Sequence, residues 1–154
     1  MLGPLVNPAK PTNQLVGVYN LELARIYAYL YQKSDIKYTI LNALDGYDEI
    51  SLTCDFKTFS AEGEKINSIK SLGFEQLNPK QILGGNSVSE SADIFMSVLN
   101  DVATPAQNNV VLANAALAIK TISPEKSFAD CFYEAEESLI SKKALKSFKT
   151  LIAN

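Results

Sequence analysis

The front of the chain alternates between short apolar runs and a longer mixed segment. Residues 14–19 (QLVGVY) are apolar and rich in β-branched side chains, which favours a strand. Asn20 is a favoured N-cap residue, so we predict a helix over 21–33, apolar on most sides and therefore covered by neighbours. A second strand is predicted over 37–41. This order of strand, helix and strand indicates an α/β arrangement.

The next part of the chain predicts a β-hairpin. Phe56 with Phe59, and Ile66 with Ile69, flank a turn at 61–64 that contains a glycine. We expect the two strands to be antiparallel and partly solvated.

A helix is predicted to begin at Ser87, because Ser87 and Glu90 have the spacing of a capping box. Its apolar positions recur at helical spacing and predict one buried stripe: Val88, Ala92, Phe95 or Met96, and Leu99.

Three more helices are predicted behind it. Residues 110–119 are apolar nearly all round, with Asn114 as the lone polar group inside. Pro124 is expected at the first position of the next helix, since proline is favoured there. A last amphipathic helix is expected over 142–152.

The predicted fold class is α/β, with a mixed sheet, one β-hairpin and several C-terminal helices. Too few strands are predicted for a self-sufficient parallel sheet with helices on both faces. The opening segment 1–11 holds three prolines and is apolar, unlike a frayed terminus. We therefore expect residues 1–154 to form a single partial α/β domain, the C-terminal half of a larger one.

Composition excludes several classes of function. The chain has 154 residues, 47% hydrophobic and 20% charged, with a formal net charge of −3, which argues against a nucleic-acid surface. It contains no histidine, so neither a Ser-His-Asp site nor a histidine-containing zinc site can be built from it. Two separated cysteines and the lack of a signal peptide or apolar membrane segment favour the cytoplasm and predict no membrane partner.

The most distinctive stretch is the acidic loop, Asp45-Gly46-Tyr47-Asp48-Glu49, which follows the second predicted strand. Ligands of open α/β sheets bind at the carboxyl ends of strands. Paired carboxylates there suit Mg²⁺, which combines one or two protein oxygens with water and substrate phosphates. An ordinary solvated turn, with Asp45 capping local backbone groups, is the alternative.

Three stretches together carry a family resemblance: 2–8 (LGPLVNP), 14–19 (QLVGVY) and 45–53 (DGYDEISLT). In this order and separation they resemble anthranilate phosphoribosyltransferases, and 83–85 (LGG) and 114–116 (NAA) fit the same pattern. The chain departs from the family pattern at Asn42-Ala43, often His-Gly, and at Cys54, often glycine.

The resemblance implies an α/β domain like that of phosphoribosyltransferases and nucleoside phosphorylases. It also implies that an N-terminal helical domain used for homodimerisation and a glycine-rich phosphate-binding segment are absent from this sequence. By resemblance, Asp48 and Glu49 would bind Mg²⁺ on the pyrophosphate of phosphoribosyl pyrophosphate (PRPP), and Gly3 and Pro4 would line the anthranilate site. No catalytic residue is assigned, and a rigid turn is an equal explanation for Gly3 and Pro4.

The function implied is phosphoribosyl transfer from PRPP to anthranilate in tryptophan biosynthesis, by an intact enzyme that is a homodimer. A related nucleoside phosphorylase, a nucleic-acid-binding relative or a non-catalytic half-domain is the alternative. We expect the 154-residue chain alone to be inactive, with an exposed sheet edge and apolar patch.

Overall fold

The computed structural model describes residues 5–153, and every structural statement below concerns these residues. Four strands and five α-helices form in the order β1 (Asn13–Gly17), α1 (Leu21–Tyr31), β2 (Lys37–Ala43), β3 (Phe56–Ser60), β4 (Gly63–Asn67), α2 (Val88–Leu99), α3 (Pro105–Ile122), α4 (Phe128–Ile140) and α5 (Lys143–Ile152). Short 3-10 turns lie at Lys70–Leu72 and Pro79–Ile82.

The four strands make one mixed sheet in the order β1-β2-β3-β4. The β1 and β2 strands are parallel, with Gly17 opposite Leu41 at their carboxyl ends. The β3 strand runs antiparallel to both β2 and β4. The predicted mixed sheet and antiparallel hairpin are therefore confirmed.

The two faces of the sheet are covered by different helices, because successive strand residues point to opposite sides. On one face Tyr38 and Ile40 pack with the buried side of α1. On the other face Leu41 and Ala43 pack with Ala113 and other residues of α3. Helix α4 then packs on α3 through a further apolar cluster that includes Leu112, Ala135 and Leu139.

Helix ends follow the side chains that can satisfy free backbone N–H groups. Asn20 caps α1 as predicted, its side chain accepting from the Leu23 N–H at 2.8 Å. The expected start of a helix at Pro124 is wrong: α4 begins at Phe128, where the Ser127 hydroxyl accepts from the Asp130 N–H at 3.1 Å.

The predicted capping box of α2 is half correct. The Ser87 hydroxyl accepts from the Glu90 N–H at 3.1 Å, but the Glu90 carboxylate accepts from the Asn86 N–H instead of the Ser87 N–H. Among the α-helices described, α3 has a complete box, in which the side chains of Thr104 and Gln107 each accept from the other's backbone N–H, and the 3-10 turn at Pro79–Ile82 has another between Asn78 and Gln81.

The predicted stripe of α2 is largely wrong, because this helix contacts the rest of the protein mainly through its last turns. Val88 is 89% exposed and Ala92 and Phe95 are exposed as well, whereas Val98 is buried. In the hairpin, Ile66 lies on the exposed side, and Ile69, which was expected to belong to the hairpin, is buried beyond the end of β4 at Asn67.

Helix α1 is covered on one side only within the described part of the chain. Ile26, Tyr29 and Leu30 are exposed, contrary to the expectation that neighbours cover most of this helix. Between residues 5 and 153, no helix combines the length and the apolar character needed to cross a membrane.

Candidate metal site

The acidic loop lies where the parallel strands β1 and β2 end, at the edge of the sheet where α/β proteins bind ligands. Its turn is closed by two backbone hydrogen bonds of 3.0 Å, from the Gly46 N–H to the Ala43 carbonyl and from the Ala43 N–H to the Tyr47 carbonyl. Gly46 has φ +96°, a conformation that glycine adopts without strain. The backbone of this loop is therefore held in one conformation by its own hydrogen bonds.

Asp48 and Glu49 are adjacent on this loop, and both side chains are exposed. Across residues 5–153, no side chain or backbone group forms a hydrogen bond or ion pair with either carboxylate; the ion pairs found there join Lys57 to Glu64 and Lys126 to Glu134. Both carboxylates are consequently open to a ligand that arrives from solvent.

The end of β1 packs directly against this loop. A Cβ atom added at Gly17 would lie 1.6 Å from the Asp48 carbonyl oxygen, so no side chain fits at position 17. Beside it, the buried Asn42 amide donates to the Val18 carbonyl at 2.8 Å and ties β2 to the chain beyond β1. The departure from the family pattern at Asn42 is thus part of the packing beneath the loop.

On its other side the loop is attached to α3. The Asn114 amide oxygen accepts from the Ile50 N–H at 2.9 Å, and the Asn114 amide nitrogen donates to the Ile50 carbonyl at 2.8 Å. The same nitrogen donates to the Val110 carbonyl at 2.9 Å. The lone polar group predicted inside this helix therefore serves the backbone that follows Glu49.

A short polar cluster closes the base of the loop. The Thr53 hydroxyl donates to the Asp45 carboxylate and lies 2.7 Å from the Ser51 hydroxyl. Leu52 lies between Ser51 and Thr53 in the sequence and adopts a positive φ of 58°. Its carbonyl accepts from the Leu77 N–H at 2.9 Å. Asp45 is exposed, but its carboxylate is bound by the Thr53 hydroxyl and is therefore not a third free carboxylate beside Asp48 and Glu49.

Cys54 follows this cluster and is half-buried. Burial raises the pKa of its thiol to about 11, and the neighbouring Asp45 carboxylate contributes in the same direction. The Cys54 thiol donates to the Asp55 carbonyl at 3.0 Å. A neutral, hydrogen-bonded thiol of this kind is a packing residue and not a metal ligand.

Comparison with known proteins identifies the family of this chain. The profile described as "Glycosyl transferase family, a/b domain" matches residues 1–145. This chain belongs to that glycosyltransferase family. The anthranilate phosphoribosyltransferase of Christiangramia forsetii is 54% identical over 154 residues, which are 98% of this chain but 45% of that relative. The chain therefore spans less than half of the length of this relative.

Solved structures share the fold of this chain. Anthranilate phosphoribosyltransferase from Thermus thermophilus superposes with a TM-score of 0.89 at 20% identity, covering 99% of this chain and 46% of that one. The enzyme from Saccharomyces cerevisiae, solved in complex with PRPP and Mg, gives a TM-score of 0.85 at 24% identity, covering 96% and 43%. At such identities the likeness shows the α/β fold predicted from the sequence.

The donor chemistry of Asp48 and Glu49 would fit a magnesium ion that shares its coordination with a substrate. No group of three or more Asp, Glu, Cys or His side chains between residues 5 and 153 could hold a metal by itself. Two exposed carboxylates on a fixed loop, with no partner in the described part of the chain, suit Mg²⁺ when substrate phosphates and water complete its octahedron.

The predicted site residues differ in how far the structure describes them. Asp48 and Glu49 are brought together at the predicted edge of the sheet, whereas Gly3 and Pro4 lie outside the described residues. Sequence reasoning missed Gly17, which looks like any strand-end glycine, and the attachment of Asn114 to Ile50. The signal for Asn114 was present, since a single amide in an apolar helix needs a hydrogen-bond partner.

Proposed function

We propose that the intact protein transfers a phosphoribosyl group from PRPP to the amine of anthranilate, with Asp48 and Glu49 binding Mg²⁺ on the pyrophosphate. The observation that carries this proposal is the pair of exposed carboxylates that have no partner among residues 5–153, on a loop fixed at the carboxyl ends of β1 and β2. The relative at 54% identity is named for this reaction, and the yeast enzyme of the same fold is solved with PRPP and Mg.

The charge of the substrate explains why the site needs carboxylates. A bound Mg²⁺ would neutralise the negative charge that the departing pyrophosphate carries. By holding this Mg²⁺, Asp48 and Glu49 would orient the pyrophosphate end of PRPP, because each carboxylate can offer the metal a hard oxygen ligand. Gly46 keeps the turn short, so no bulky side chain obstructs the approach of phosphates at this point.

We further propose that Gly3 and Pro4 line the anthranilate site. Their support is the sequence resemblance, in which a glycine lets the aromatic ring approach the backbone and a proline fixes the wall. For the intact protein we also propose a cytoplasmic homodimer. The support for the compartment is the pair of free cysteines, half-buried Cys54 and buried Cys131, which suit reducing conditions.

The test of this function is a chimera. The part of the Christiangramia forsetii enzyme that aligns with this chain is replaced by residues 1–154, and anthranilate consumption is followed by fluorescence with PRPP and Mg²⁺. We expect the chimera to consume anthranilate. Asp48→Asn combined with Glu49→Gln should lower turnover sharply at limiting Mg²⁺, and added Mg²⁺ should restore part of it.

Glu62→Gln is the matched control, because Glu62 is an exposed carboxylate at the hairpin turn. Its turnover should follow the parent chimera at every Mg²⁺ concentration. A folded chimera that leaves anthranilate untouched would contradict the proposed reaction. Equal rates for the parent and the double variant across the Mg²⁺ titration would remove Asp48 and Glu49 from the site.

A further inference from the structure

Two residues from distant parts of the chain contact the backbone on either side of Glu49, one at Asp48 and the other at Ile50. Asn114 reaches it from α3, and Gly17 reaches it from the end of β1. We propose that Asn114 and Gly17 are positioning residues that hold Asp48 and Glu49 in the orientation needed to bind a divalent cation. This inference rests on the proposed function, because it assumes that these carboxylates bind the metal.

Asn114 fixes the peptide unit that follows Glu49. That unit contains the Ile50 N–H, which donates to the Asn114 amide oxygen at 2.9 Å. The Asn114 amide nitrogen bonds the Ile50 carbonyl at 2.8 Å, so both backbone groups of Ile50 are held by one side chain. The Ile50 side chain is itself fully buried, which leaves this residue no freedom to rotate.

Gly17 fixes the peptide unit that precedes Glu49. That unit contains the Asp48 carbonyl, whose oxygen would lie 1.6 Å and whose carbon would lie 2.7 Å from a Cβ atom at position 17. Backbone packs on backbone here, so even an alanine would push the Asp48 carbonyl away. The two peptide planes that flank the Glu49 Cα atom are therefore each held by a different residue, the preceding one by Gly17 and the following one by Asn114.

The orientation of the backbone matters because neither carboxylate is held by its own side-chain contacts among residues 5–153. Where Asp48 and Glu49 point depends on the peptide units that carry them. Groups that orient metal ligands from outside the coordination sphere commonly change metal affinity about 10- to 100-fold when they are removed. Asn114 and Gly17 act here on the backbone of the ligands rather than on their side chains.

The test uses the ¹⁵N-labelled 154-residue chain and Mn²⁺ as a paramagnetic probe, together with inorganic pyrophosphate, which supplies the phosphate oxygens that the two carboxylates alone do not. Mn²⁺ should broaden the amide signals of residues 44–50, and titration gives an apparent affinity without any enzymatic assay. We expect Asn114→Ala and Gly17→Ala each to weaken this affinity about tenfold or more. Hydrogen exchange at the Ile50 amide should accelerate in Asn114→Ala, because its acceptor is gone.

Two matched controls separate positioning from general loss of stability. Thr121→Val removes a different hydrogen bond of α3, the 2.8 Å bond from the Thr121 hydroxyl to the Thr39 hydroxyl in β2. Gly85→Ala introduces a methyl group 2.5 Å from the Ser91 backbone nitrogen in α2. Both controls should destabilise the fold and leave the Mn²⁺ affinity of the loop unchanged.

The outcomes distinguish this inference from the proposed function. Absence of broadening at the loop in the unsubstituted chain would overturn the metal site and this inference together. Broadening that Asp48→Asn with Glu49→Gln abolishes, but that folded Asn114→Ala and Gly17→Ala retain at full affinity, would overturn this inference alone. The two variants act on different peptide units, one before and one after Glu49. If one variant does not fold, the Mn²⁺ affinity of the other still tests the inference.

Discussion

The Thr53 hydroxyl donates a hydrogen bond to the Asp45 carboxylate and so closes the acidic loop across its base. This contact joins the first residue of the acidic stretch to the buried segment that follows it. It also shows how Asp45 differs from Asp48 and Glu49, since Asp45 is bound by Thr53 whereas the other two carboxylates have no partner between residues 5 and 153.

Removing this hydroxyl should destabilise the fold. We expect Thr53→Val to lower the free energy of unfolding by about 1–3 kcal/mol, because the bond to a carboxylate is lost and the Ser51 hydroxyl loses its neighbour. Urea unfolding followed by circular dichroism measures the change. Thr58→Val is the control, since the half-buried Thr58 hydroxyl accepts from Asn67 in the hairpin. If both variants lose the same free energy of unfolding, the bond to Asp45 stabilises the fold no more than the hairpin bond does.

The 154-residue chain by itself should not consume anthranilate. It matches 45% of the length of the relative at 54% identity, and the resemblance assigns the glycine-rich phosphate-binding segment to sequence that is not in this chain. The measurement is anthranilate fluorescence over time with PRPP and Mg²⁺, and the chimera serves as the positive control. Steady consumption by the purified chain would contradict this expectation.

The Cys54 thiol should react slowly with alkylating reagents. With its pKa raised to about 11 from an ordinary value of 9.0, its thiolate fraction at pH 8 is about 100-fold smaller than that of an ordinary thiol. We expect iodoacetamide labelling of the native chain to be slower than labelling in urea by at least this factor. A Cys131→Ala background leaves Cys54 as the single thiol, and equal rates in both states would show that Cys54 is not protected.

The fold should lose stability in alkaline solution. Burial raises the pKa of Cys54 to about 11, so the folded state binds its proton more tightly than the unfolded state does. That contribution is complete below the unfolded pKa of 9.0 and is lost as the pH rises toward 11. Burial also raises the pKa values of Tyr31 and Tyr38 above 10.0, which extends the loss to higher pH.

Urea midpoints measured between pH 8 and pH 11 test this prediction. Cys54→Ala should flatten the first part of the decline, since alanine has no proton to lose. Tyr38→Phe should flatten the later part, because the Tyr38 hydroxyl is buried and has no hydrogen-bond partner among residues 5–153. A midpoint that stays constant up to pH 11 would contradict the burial of these groups.

Local signals in the sequence located the strands, most helices and the acidic loop. Asn20 caps its helix as predicted, because the bond to the Leu23 N–H involves residues three positions apart. Pro124 misled the prediction, since proline also suits the turn that precedes the Ser127 cap. Val88 fits an apolar stripe but lies on a turn that no other element covers within the described residues.

The parts of the site that sequence could not supply depend on tertiary contacts. Gly17 is required because the Asp48 carbonyl packs against it, and nothing near position 17 in the sequence indicates that contact. Asn114 could be identified as a polar residue in an apolar helix, but its partner Ile50 is 64 positions away. The carboxylate pair was predictable as a motif, and the backbone contacts that orient it were not.

The long sequence separation between Ile50 and Asn114 has a consequence for folding kinetics. The turn bonds of the acidic loop join residues three and four positions apart and can form as soon as β2 is in place. The bonds to Asn114 must wait until α3 docks, after a loop of 64 residues has closed. The carboxylate pair therefore reaches its native orientation late in folding, and it should be among the first features to lose that orientation when α3 detaches.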